Sequence, residues 1–227
     1  MTLTHGPLHA AIGRHFIEHG RAPSIAELSQ QFALDAAIVA DALRALADYH
    51  GVVLHPMSGE IWAMHPFSAA PTLFWVESGG KGWWGNCAWC SLGIVALLGA
   101  DATISTRLGG EAAPVTLRIE QGAVIPPDHY VHFPIPMMQA WDNVTYTCST
   151  MLVFETPDAV DRWCTRHGIP RGDVQPLSTV WAFAQAWYGR HLDPAWTKWT
   201  TEEARALFAR FGLTGSTWAL PASTERF

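Results

Sequence analysis

Charge is scarce in this chain. Only 15% of its 227 residues are Asp, Glu, Lys or Arg; their formal sum is −6, and Lys and Arg never cluster into a run. Phosphate backbones and anionic membrane surfaces select clustered cations, so the composition argues against nucleic acid or lipid as the main ligand. Long apolar runs are missing as well. The longest, SLGIVALLGA at 91–100, falls far short of the ~20 residues that a membrane span requires. The opening MTLTHGPLHAAIGRHF lacks the basic region, apolar core and small-residue cleavage site of a secretory signal. Four cysteines without such a signal lead to an expectation of reduced thiols in a cytoplasmic protein. Apolar residues, by contrast, make up 49% of the chain, enough to bury a core without metal or disulfide staples.

Periodicity divides the chain. Leu8, Ala11, Ile12, Phe16 and Ile17 recur at helical spacing. Ser24 followed by Glu27 reads as a capping box opening a second helix, and Ile38, Val39, Ala42, Leu43 and Leu46 mark a third over 35–49. Short strands at 51–54 and 60–63 flank the turn at 57–59. Three helices and a two-stranded wing predict a winged-helix-like module over 1–66. Its third helix is acidic, so packing against the rest of the protein is favoured over insertion into DNA. The Pro-rich stretch 65–72 reads as a connection into a second unit. Beyond it the pattern predicts a helix from about 86–90 to Gly99, and an alternating strand Val115–Ile119 with a turn at Gly122. Strands follow at 130–135 and 151–154, then helices at 156–167, 178–189 and 201–211. Strands lying between helices without regular βαβ alternation predict an α+β fold with antiparallel strands.

The segment Asn86-Cys87-Ala88-Trp89-Cys90 places two thiols three residues apart at a helix start. Structural zinc would need a second ligand pair of similar spacing, and Cys148 and Cys164 stand apart in the sequence. A redox pair, its first thiol acidified by the helix dipole, would expect a preceding buried strand in a βαβ unit, whereas the preceding residues are glycine-rich and aromatic. A third option joins one of these thiols to the distant Cys148, read at the edge of a strand pattern, in a site for a soft metal. The alternative for Cys148 is a small buried hydrophobe. Cys164, between Trp163 and His167, reads as core packing. The histidines, including His129, His132 and His191, show no ligand spacing.

Ala88-Trp89-Cys90 with Leu92, Ile94 and 96–99, Thr147-Cys148-Ser149 leading into Val153-Phe154, the turn and strand 110–117, and the stretches 156–163, 180–183 and 190–192 follow one another in an order that resembles the organomercurial (alkylmercury) lyases. The resemblance runs over roughly 85–192 and implies a mixed α/β lyase core at 67–192, with 193–227 as a C-terminal extension. It implies cleavage of a carbon–mercury bond by protonolysis. Cys90 and Cys148 would be the thiol pair, Trp89 would lie beside the pocket, and Ser91 and Ser149 would neighbour the thiols. No organic cofactor is implied; Hg(II) would be the bound product, passed to small thiols or a mercuric-ion reductase, from a monomer or homodimer. Most of the family carries an aspartate three residues after the first cysteine, on the same helical face. Gly93 stands there in this chain. Cys87, one turn before Cys90, is the favoured replacement donor, and Ser91, Ser149 and Asp142 are further candidates. The same glycine keeps open a second expectation, a protein of this fold that binds Hg(II) or another thiophilic metal, or acts on another substrate, without protonolysis.

Overall fold

A computed structural model describes residues 3–220; Met1, Thr2 and residues 221–227 of the expected extension lie outside the described residues. Helices α1 (His5–His19), α2 (Ile25–Phe32) and α3 (Ala36–Asp48) come first along the chain. The Ser24–Glu27 capping box is present, and Gly20, at φ 71°, ends α1 in the left-handed conformation that glycine adopts without penalty. Their apolar stripes bury Leu8, Ile12, Phe16, Leu28, Val39, Leu43 and Leu46 together. Strands β1 (Val53–Leu54) and β2 (Ile61–Met64) pair antiparallel behind them.

Within the stretch read as a connection lies a strand, β3 (Phe67–Ser68). It pairs with β2 on one side and with β5 (Lys81–Gly85) on the other, so strands from both segments share one sheet. With β4 (Phe74–Ser78), β6 (Ala102–Arg107), β7 (Pro114–Glu120) and β8 (Ala123–Ile125), that sheet has eight strands in the order β1-β2-β3-β5-β4-β6-β7-β8. A smaller sheet has the order β10-β9-β11, from β9 (Tyr130–Phe133), β10 (Val153–Phe154) and β11 (Asp173–Pro176). All the pairings in both sheets are antiparallel, the α+β class expected.

Two local expectations need correction. The glycine-rich, aromatic residues before the CxxC segment do form a strand, β5, because Gly79 and Gly80, both at positive φ, turn the chain back from β4. That strand is antiparallel, so the segment still lacks a βαβ setting. Cys148 lies on a helix, α5 (Val144–Thr150), and not at a strand edge. Thr, Val and Tyr favour strands, but here Asn143 caps the turn and Ser149 and Thr150 donate hydroxyl hydrogen bonds back to the Tyr146 carbonyl.

Helix α4 (Ala88–Leu98) is the central element. It is buried on every side from Ala88 to Val95, as expected of a helix that is apolar all round, and it packs between β4 and β5 and helix α7 (Leu177–Tyr188). Helix α6 (Pro157–His167), opened by the Thr156 cap with Pro157 in its first turn, packs on β10. Helix α8 (Thr201–Arg210) starts at a Thr200–Glu203 capping box and places Phe208 against Phe183 of α7. The Trp83 indole donates to the Phe16 carbonyl at 2.7 Å and ties α1 to the large sheet. Among the described residues, no helix is long and apolar enough to cross a membrane.

Candidate active site

Asn86 and Ala88 explain why distant residues meet. The Asn86 amide side chain donates to the carbonyls of Pro66 and Phe67 at 3.2 and 2.8 Å, pinning the His65 turn. The Ala88 backbone N–H donates to the Met151 carbonyl at 3.1 Å and pins the end of α5. The start of α4 is thereby stapled to both neighbouring segments. Cys87 caps the helix, its sulfur accepting the Cys90 N–H at 3.3 Å.

The result is a cluster of buried soft ligands. The sulfurs of Cys90 and Cys148 and a ring nitrogen of His65 all lie within 4.8 Å of one another, and Cys148 Sγ is 3.4 Å from His65 Nε2. Metal–thiolate bonds of ~2.3 Å let one soft ion bridge two sulfurs at such a separation. Cys87 is fully buried beside them, and the Tyr188 hydroxyl at the end of α7 is 3.5 Å from Cys90 Sγ.

Proton distribution within the cluster is unequal. Burial pushes the Cys87 thiol up, and hydrogen bonds to Cys87 and Cys90, with burial, push Cys148 up. For Cys90 burial is again the largest influence and opposes ionisation. Hydrogen bonds from Cys148 and Cys87, the His65 charge and the Tyr188 hydroxyl together outweigh it and hold Cys90 well below the ordinary thiol range. One thiolate is thus concentrated at Cys90, with protons on the other two sulfurs. The redox-pair alternative would have the first thiol of the CxxC acidified; instead burial dominates at Cys87 while the donors converge on Cys90. Burial lowers the His65 pKa, and the charge on Cys90 works against it.

A cavity of about 100 Å³ holds this cluster. Its walls come from helix α1 and the turn after α3 (His9, His50), the core (Trp89, Trp141, His191) and the C-terminal segment (Trp196, Lys198, Trp199). No carboxylate lines it among the described residues. Cys148 and His65 also line a groove of about 410 Å³ between β2, β3 and α5, which gives the thiols a second approach.

The other expected residues separate. Trp89 is in the cavity wall, stacked on Phe183 at 4.8 Å. Ser91 donates to the Ala88 carbonyl at 2.7 Å and abuts Gly85 of β5, where a Cβ would fall 2.9 Å from Ser91 Cα; it faces the sheet, away from the thiols. Ser149 lies in the outer groove with its hydroxyl on the Tyr146 carbonyl, and Asp142 is exposed on the turn before α5. Cys164 packs elsewhere, 3.6 Å from His132. His65 and Tyr188 were not singled out by sequence; neither has a motif, and only Gly93, a small residue where a side chain was expected, hinted at a compensating neighbour.

The alkylmercury lyase family profile matches residues 67–189, more than half of the chain. This protein belongs to the alkylmercury lyase family. The crystal structure of the mercury-bound form of MerB2 superposes on it with a TM-score of 0.64 over 81% of this chain and 91% of that one, at 20% identity, a likeness of fold. No curated protein sequence matches the chain. Within an alkylmercury lyase, a buried pair of thiols with an imidazole beside them is a site suited in chemistry to a soft cation.

Proposed function

We propose that this alkylmercury lyase cleaves organomercury compounds by protonolysis at Cys90 and Cys148. The observation that carries the reading is the buried meeting of the two sulfurs within 4.8 Å, and the lowered pKa of Cys90 supports it. The Cys90 thiolate takes the mercury of R–Hg–X and displaces X. Cys148 then joins as the second sulfur ligand while its proton goes to the cluster. Two thiolates raise electron density at mercury and weaken its bond to carbon, and a proton converts the departing group to R–H. Hg(II) remains on the two sulfurs, with the His65 nitrogen close enough to serve as a third donor. Cys87, which keeps its proton, completes the cluster. No organic cofactor is required by this sequence of steps, and a small thiol or a mercuric-ion reductase would remove the metal. The described parts of the segments on either side, residues 3–66 and 193–220, act in this reading as covers over the core at 67–192, not as a DNA reader.

The test is release of benzene from a phenylmercury salt in excess small thiol. Native protein is expected to release it, and Cys90→Ser and Cys148→Ser are expected to lose both release and tight Hg(II) retention. Retention of Hg(II) without any hydrocarbon from the native protein would favour the second reading, a thiophilic-metal binder, for which Gly93 is the motive.

A further inference from the structure

Gly93 and Tyr188 are two halves of one exchange. Gly93 lies one turn beyond Cys90 on the same face of α4. An ideal Cβ at this position would fall 2.4 Å from Tyr188 Cδ2 and 2.5 Å from Cε2, closer than real Cβ contacts come. The tyrosine ring therefore fills the space that a side chain at residue 93 would use. Its hydroxyl ends 3.5 Å from Cys90 Sγ. Tyr188 is buried at the end of α7, the helix packed directly on α4, with its ring against Trp89 and His191 at centroid distances of 5.7 and 4.8 Å.

We propose that Tyr188 is the group that hands the proton to carbon, and that Gly93 exists to admit its ring. The inference rests on the protonolysis reading above and names the donor which that reading leaves open. The step balances without an outside reagent. As the carbon–mercury electron pair becomes a carbon–hydrogen bond, the Tyr188 O–H bond breaks and its proton goes to carbon. The proton released when Cys148 sulfur bonds to mercury returns to the tyrosine oxygen through the thiol cluster. In sum, R–Hg–S plus a thiol gives R–H and S–Hg–S, and Tyr188 ends as it began. Asp142, exposed on its turn, offers no substitute, and Ser91 faces the sheet.

Single-turnover release of benzene from phenylmercury-loaded protein tests this, with Hg(II) retention measured in parallel. Tyr188→Phe is expected to slow release by roughly 10²- to 10⁴-fold, the usual contribution of a positioned proton donor, while retaining one Hg(II) per chain. Tyr188→Ala should be slow as well, and adding Gly93→Asp to it should raise the rate by about tenfold or more, because the vacated space then accepts a carboxylate on the same face. Three results would overturn the role of Tyr188: unchanged release by Tyr188→Phe, loss of Hg(II) retention together with release, which would make the tyrosine a prop for the thiols, or no gain in the double variant. Absence of release from native protein would overturn the protonolysis reading, and the tyrosine's role with it.

Discussion

His9 allows a test of how α1 is held against the C-terminal segment. It is buried on α1, stacked face to face on Trp196 of the C-terminal segment at 3.6 Å, with Nδ1 3.1 Å from the His191 carbonyl. Burial lowers its pKa from 6.5 to about 3; the His191 carbonyl works against this and the His65 charge adds to it. An unfolded chain binds this proton below pH 6.5, whereas the folded chain refuses it until about pH 3. Stability is therefore intact above 6.5 and declines as pH falls, by roughly 1.4 kcal/mol per unit and about 5 kcal/mol by pH 3. That is comparable to the whole ~5–15 kcal/mol of a typical domain. Glu27 and Glu203, whose pKa values are lowered from 4.5 by hydrogen bonds, lose their contributions only below that pH, so the interval from 6.5 to 4.5 belongs to the buried histidines. His9→Phe keeps the ring but strands the His191 carbonyl, at a cost of about 1 kcal/mol at pH 7.5. Urea unfolding of both proteins from pH 7.5 to 4.5 should give curves that cross between about pH 5 and 6, the variant being the more stable on the acid side. Parallel curves, or a native curve that is flat across this interval, would refute the burial argument.

Two other perturbations probe the cluster and its frame. Native protein should show ultraviolet thiolate absorbance that persists to lower pH than that of free cysteine and disappears as pH falls through the depressed Cys90 pKa; in Cys90→Ser that early thiolate should be missing. Gly93→Ala drives a Cβ into the Tyr188 ring and should lower stability by about 1–3 kcal/mol in denaturant unfolding, the range for overpacking a filled core. A neutral outcome would mean that α7 yields easily and that the ring is not wedged against α4.

Much of the architecture was legible because it depends on local rules. Ser24 and Glu27 cap α2, Thr156 and Pro157 open α6, and alternation over Val115–Ile119 marks β7. Where reading failed, local chemistry pointed two ways. The run Val144–Thr150 has strand-forming residues held in a helix by its Asn143 cap and by back-bonding hydroxyls, and β4 and β5 are divided by a Gly79-Gly80 turn inside a glycine-rich, aromatic stretch for which no strand was expected.

The sequence by itself determined the α+β class, the helix starts, the low charge that argues against a nucleic-acid surface, and the two cysteine segments with a glycine at residue 93. These follow from periodicity, capping and composition, which act within a few residues. Only the tertiary structure decided which thiol carries the charge, that His65 joins Cys90 and Cys148, that Ser91 turns away to the sheet, and that Tyr188 fills the place above Gly93. The meeting of His65, Cys90 and Cys148 and the seating of Tyr188 over Gly93 arise from contacts between residues some 25 to 98 positions apart, where hydrogen bonding and desolvation depend on which helix packs against which strand, and no local pattern encodes that choice.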